Sequence, residues 1–159
     1  MTKTMTILFF TILTAPLAAA SPTPCHFMTK VAKAPNGYAY NIGMAYASAS
    51  LVVVGSASSY VEDKPQLVHI TKVIKGKAGP EIKLEGIHPS GTDPWGTAIP
   101  LSNDFLMLLT GTTIYNWVDS GSGCQNSFEV HDNEVSIGKN KVKLDNLKQY
   151  LESNPTPIY

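Results

Sequence analysis

The chain contains no arginine: all 12 of its basic residues are lysine. Arginine's planar, forked guanidinium is the side chain best matched to phosphates and carboxylates. Its absence weighs against a dedicated phosphate or nucleotide site, although lysine and backbone amides can build one, and a coding bias against arginine accounts for the absence equally well. The 12 lysines are balanced by 12 acidic residues, and such neutrality speaks against a nucleic-acid partner, which calls for a basic surface. No P-loop, dinucleotide or paired-carboxylate pattern occurs, so no catalytic residue and no cofactor is expected. Cysteine is scarce, with Cys25 and Cys124 the only two. There is no Asn-x-Ser/Thr acceptor, because Asn154-Pro155-Thr156 carries the excluded proline. No apolar run reaches the roughly 20 residues that a membrane-spanning helix needs.

What the first 25 residues do contain is an export signal pattern. Lys3 supplies a positive start, Met5 to Ala15 is apolar apart from three threonines, Pro16 breaks the run, and Ala18-Ala19-Ala20 offers the small residues of a cleavage site. The expected division is a signal peptide over 1–20 and a single domain over 21–159, with its core at about 38–153, secreted or periplasmic after cleavage behind Ala20. A lipid anchor on Cys25 is not expected, because Pro22-Thr23-Pro24 stands where small residues are required. Removing Lys3 leaves the mature chain with one acid in excess.

The rest of the chain is a succession of short strands. Ser21 to Gly37, punctuated by Pro22, Pro24 and Pro35, reads as an extended surface arm. A short helix is expected around 42–47. Leu51-Val52-Val53-Val54-Gly55 is an unbroken β-branched run, the mark of a strand buried on both faces. Strand 67–74 alternates until Val73-Ile74 breaks the pattern, which predicts a bulge near Lys72. Further strands are expected at 81–84, 105–109, 114–118, 128–130, 135–137 and 142–144, with a hairpin turn at Asp132-Asn133. A closing helix is expected to be capped by Asp145, to bury Leu144, Leu147 and Leu151, and to stop at Asn154-Pro155. Between 86 and 100 lies a long Gly- and Pro-punctuated loop containing His88 and Trp95. Turns every eight to twelve residues with one closing helix predict a mainly β fold, a small barrel or sandwich.

The succession Ala-Ser-Leu-Val-Val-Val-Gly (49–55), Val-His-Ile-Thr-Lys-Val-Ile-Lys-Gly (68–76) and Phe-Leu-Met-Leu-Leu (105–109) resembles the netrin-like modules typified by tissue inhibitors of metalloproteinases. The resemblance covers about Cys25 to Cys124 and rests on loose hydrophobic patterns. It implies a five-stranded OB-type barrel with an N-terminal arm and a C-terminal helix, and a disulfide from Cys25 to Cys124 pinning the arm. Free or intermolecular thiols are the alternative. In the inhibitors the cysteine is the first residue and chelates the protease zinc. Here Ser21-Pro22-Thr23-Pro24 precede it and the usual second cysteine nearby is replaced by His26 and Phe27. That mechanism carries over only if maturation cuts directly before Cys25.

The remaining chemistry is sparse. His26, His69, His88 and His131 lie in different segments, far from the paired spacing of zinc sites, so no metal site is expected unless the fold gathers them, with Asp93, Asp132 or Glu134 as further donors. Ser120-Gly121-Ser122-Gly123 lacks the strand-to-helix setting of a nucleophile elbow and reads as a linker. Lys72, Lys75, Lys77 and Lys83 cluster about one turn, either to attract an acidic partner or as solvated strand ends. His88, Trp95, Tyr115 and Trp117 are the candidate recognition residues, plugging of the barrel ends being the other role for the aromatics. The leading expectation is an exported, non-enzymatic binding or inhibitor-like module contacting another secreted or envelope protein. A metal-binding protein or enzyme using gathered histidines, and a structural accessory of an envelope assembly, are the alternatives.

Overall fold

The computed structural model describes residues 25–34, 37–57, 64–85, 103–119 and 124–153. The elements run β1 (Met28–Lys30), β2 (Tyr38–Tyr40), α1 (Ile42–Ser48), β3 (Leu51–Ala57), β4 (Gln66–Lys75), β5 (Glu81–Leu84), β6 (Phe105–Gly111), β7 (Ile114–Trp117), β8 (Ser127–His131), β9 (Glu134–Ile137), β10 (Asn140–Lys143) and α2 (Leu147–Glu152). The signal-peptide pattern, His88 and Trp95 lie outside the described residues.

Five strands close a barrel in the order β3-β4-β5-β7-β6 and back to β3. Every pair is antiparallel except β5–β7, which is parallel. This is the OB-type arrangement, and the mainly β expectation holds. The barrel closes through a division of labour along one edge of β6. Leu109 to Gly111 pair with β7, whereas Phe105 to Met107 pair with β8. Leu108 is the handover point: its carbonyl accepts from the Val118 N–H and its own N–H donates to the Asn126 carbonyl. From there β8, β9 and β10 peel away as a ribbon outside the barrel. Asp132 and Asn133 turn the β8–β9 hairpin with positive φ at both positions, as Asp-Asn turn chemistry predicts.

Two cores share one wall. Leu51, Val53 and Ala57 of β3, with Phe105, Met107 and Leu109 of β6, point into the barrel and meet Val68, Ile82, Leu84 and Trp117. The intervening Val52, Val54, Leu106 and Leu108 point outward into a second core, closed by α1, α2, the β8–β10 ribbon and the arm. The two apolar runs thus read without alternation because both faces of each strand are buried.

β4 bends around the barrel where its alternation fails. Val52 pairs with Lys75 but Val53 with Val73, and Val54 pairs with Lys72 but Gly55 with Ile70, so register shifts bracket Lys72. Gly55 sits at the second shift, where an added Cβ would overlap the His69 carbonyl oxygen. Gly76 ends β4 in a left-handed turn at φ 83°.

Two local expectations are corrected. The arm is not simply extended, because β1 pairs with β2 as a hairpin from Met28–Tyr40 to Lys30–Tyr38. The N-cap of α2 is Asn146 rather than Asp145, whose carboxylate is drawn instead to Lys72 Nζ at 2.6 Å. That contact holds the exposed Asp145 carboxyl below its ordinary range.

The two-sided wall sets a stability test. Leu108→Ala should cost about 2–5 kcal/mol in urea unfolding, because the side chain is fully buried. Leu67→Ala, on the exposed side of β4, should cost under about 1 kcal/mol.

Candidate functional site

The barrel is covered unevenly. The outer faces of β3 and β6 are packed beneath the helices and the ribbon, whereas the outer face of β4, β5 and β7 carries exposed residues. Leu67 pairs with Lys83 and Lys83 with Ile114, so the three form one row across three strands. Leu67 is 39% exposed and Ile114 40%. Beside this row His69 pairs with Glu81, and His69 Nδ1 lies 2.9 Å from Glu81 Oε1.

The predicted recognition aromatics sit differently. Trp117 is buried and belongs to the barrel core. Tyr115 is partly buried against the same core. Strand parity explains both, since Tyr115 and Trp117 share the inward side of β7 while Ile114 and Asn116 face out. The parity was present in the sequence; an apolar Ile114 facing outward ran against its simplest reading.

The lysine cluster serves the scaffold at two positions. Lys75 Nζ donates to the carbonyls of Tyr46 and Ala47 at 2.7 and 2.9 Å and lies 4.9 Å from the Tyr46 ring centre. It thereby satisfies the C-terminal carbonyls of α1 and places a cation at the negative end of that helix. Lys72 ties β4 to Asp145. These contacts tie α1 and the turn leading into α2 to the same barrel strand.

The arm is anchored at a compact polar cluster. Cys25 and Cys124 form a disulfide spanning 99 positions, with Cα atoms 5.2 Å apart, which realises the pairing implied by the family resemblance. Next to it, Asp119 Oδ2 accepts from the His26 backbone N–H at 2.7 Å and contacts His26 Nδ1 at 2.8 Å. Asn126 Nδ2 donates to the Asp119 carbonyl, so Asp119 and Cys124 are held together across residues 120–123. Tyr40 packs edge-on against Phe27, and its hydroxyl is buried without a hydrogen-bond partner. Burial first, and the Asp119 charge second, raise the Tyr40 phenol well above its ordinary range.

Among the described residues, His26 meets Asp119, His69 meets Glu81 and His131 lies 3.9 Å from Asp132. Sequence reasoning missed Asp119 as the partner of the arm; its position just after β7 carried no local signal, because the contact to His26 spans 93 residues. No protein-family model, curated protein or solved structure matches this chain.

Two measurements test the anchor. Replacing both cysteines by serine should lower stability to urea by about 2–5 kcal/mol, with amide exchange rising first over 25–41. Tyr40 supplies the second. The unfolded chain releases the phenol proton at lower pH than the folded chain does, so its contribution is complete below the ordinary phenol value of 10.0 and is lost as pH rises beyond it. Tyr40→Phe should flatten that alkaline decline in urea titrations. At neutral pH it should leave stability unchanged or higher by about 1 kcal/mol, because it removes an unpaired buried hydroxyl.

Proposed function

We propose that this chain is an exported, non-enzymatic binding module that contacts another secreted or envelope protein through the uncovered face of β4, β5 and β7. The observation that carries the reading is the row Leu67–Lys83–Ile114, two exposed aliphatic side chains flanking a lysine. The His69–Glu81 pair forms a polar margin beside it. Apolar contacts set within a charged margin are the usual composition of a protein interface. Export is supported by the leader pattern and by a disulfide of the kind that persists outside the reducing cytosol. The netrin-like resemblance supports the same class, since those modules act by contacting proteins on a closed barrel of this connectivity.

Photo-crosslinking residues placed at Leu67, Ile114 or, on α2, Lys148 test this in the producing cell. The expected result is one protein adduct shared by the first two positions and absent from the third. With the two proteins purified, Leu67→Asp and Ile114→Asp should each weaken binding at least tenfold while leaving the unfolding midpoint nearly unchanged. Adducts that do not distinguish the three positions, or unchanged affinity in both variants, would overturn the assignment.

A further inference from the structure

Metal-ligating groups of several kinds converge where the arm meets the barrel. The Cys25 Sγ, the Cys124 Sγ and an Asp119 carboxylate oxygen all lie within 4.8 Å of one another. His26 Nδ1 stands 2.8 Å from Asp119 Oδ2. In the oxidised chain the two sulfurs are bonded to each other. In the chain as translated they are thiols, and the same place then holds two thiols, a carboxylate and an imidazole. Sulfur, oxygen and nitrogen donors of this kind suit Zn2+ in tetrahedral coordination.

We propose that the reduced chain binds Zn2+ through Cys25, Cys124 and Asp119, with His26 holding the Asp119 carboxylate and water completing the fourth position. The donors come from three places that the backbone already fixes. Cys25 leads into the arm, which is held by Asn41 N–H donating to the Phe27 carbonyl at 2.8 Å. Asp119 follows β7, and Cys124 precedes β8, with the Asn126 side chain bonded to the Asp119 carbonyl between them. A zinc–sulfur distance of about 2.3 Å places two sulfurs about 3.8 Å apart in a tetrahedron. Side-chain rotation reaches that separation with the Cα atoms left where they are, 5.2 Å apart.

Burial favours the ion. Cys25 and Cys124 are 5% and 4% exposed, and the Asp119 side chain is 9% exposed while that of His26 is 76% exposed. The anionic donors therefore sit in a weakly screened place that strengthens their attraction for a cation, and the His26 side remains open to solvent for entry. A carboxylate fixed by a histidine is the kind of outer support on which metal affinity depends.

The chemistry balances in both directions. Coordination releases the two thiol protons to solvent. A disulfide-bearing oxidant then removes two electrons by thiol–disulfide exchange, takes up two protons to become a dithiol, and leaves the Cys25–Cys124 bond with Zn2+ set free. Metal and disulfide are thus alternative closures of one arm, independent of any partner on the β4–β5–β7 face.

The test uses the chain reduced with a water-soluble phosphine, which becomes the phosphine oxide with oxygen from water while the two sulfurs gain hydrogen. Zn2+ alone is titrated against a chromophoric chelator, and Co2+ reports sulfur ligation through its thiolate charge-transfer band. Expected results are stoichiometric Zn2+ on the reduced chain, binding at least 100-fold weaker on the oxidised chain, and a cobalt thiolate band in the reduced chain only. Asp119→Asn should weaken Zn2+ at least tenfold with the cobalt thiolate band retained. His26→Ala should weaken it about 10–100-fold, and His26→Gln, which keeps a donor to Asp119, should recover part of that loss. If reduction unfolds the chain, added Zn2+ should restore the circular dichroism of the oxidised form. Equal affinity in the two redox states, no thiolate band, unaltered affinity in both the Asp119 and His26 variants, or a reduced chain that Zn2+ neither binds nor refolds would each overturn the proposal.

Discussion

The pairing of β3 with β6 is the constraint on which the remainder of the structure depends. Leu51 through Gly55 run antiparallel to Leu109 through Phe105 in unbroken register, and both faces of the pair are buried. Because successive side chains on a strand point to opposite sides, each residue of the two runs must be apolar or small. One slip of register would exchange the barrel-facing set for the outward set and leave both cores mismatched. The barrel and the outer layer are therefore not independent units. They are two bodies packed on one shared wall.

That wall explains where the outer layer can attach. α1 and α2 lie over Val52, Val54, Leu106 and Leu108, and their ends are secured to the neighbouring β4 by Lys75 and Lys72. α1 is seven residues long, too short to stand without packing. Its stability comes from Ile42, Ala45 and Tyr46 beneath it, the Asn41 side chain accepting from Met44 N–H, and the lysine at its far end. Tyr46 also reaches α2, donating to Glu152 Oε1 at 3.4 Å. Covering one wall so fully leaves outward residues of the first half of β4, of β5 and of β7 not enclosed by these elements, Leu67, Lys83 and Ile114 among them.

The sequence carried the parts of this architecture that depend on local pattern. Unbroken apolar runs marked β3 and β6 as doubly buried, the break at Val73-Ile74 marked the bend of β4, and Asp132-Asn133 marked a hairpin. What depends on long-range encounter was not legible. Asp145 has the chemistry of an N-cap, but Lys72, 73 residues away, competes for its carboxylate and Asn146 occupies the cap position. Trp117 was readable as an aromatic on a short strand, yet its direction is set by which face of β7 closes the barrel through the parallel pairing with β5. The β1–β2 hairpin was hidden because three-residue strands carry too little alternation to distinguish them from extended arm.

The arm anchor shows the same limit at the level of chemistry. Cys25 and Cys124 stood out because they are the only cysteines, and His26 follows Cys25 directly, but Asp119 had no spacing that marked it as belonging with them. The fold brings them together because β7 ends and β8 begins on the same side of β6, with Leu108 serving both strands. The Asn126 side chain bonds the Asp119 carbonyl there, and Asp119 and Cys124 lie close to one another. The arm meets there the Asp119 carboxylate through His26 and Cys124 through the disulfide. The disulfide thus sits where barrel closure and the strand exchange at β6 place the polar groups around it.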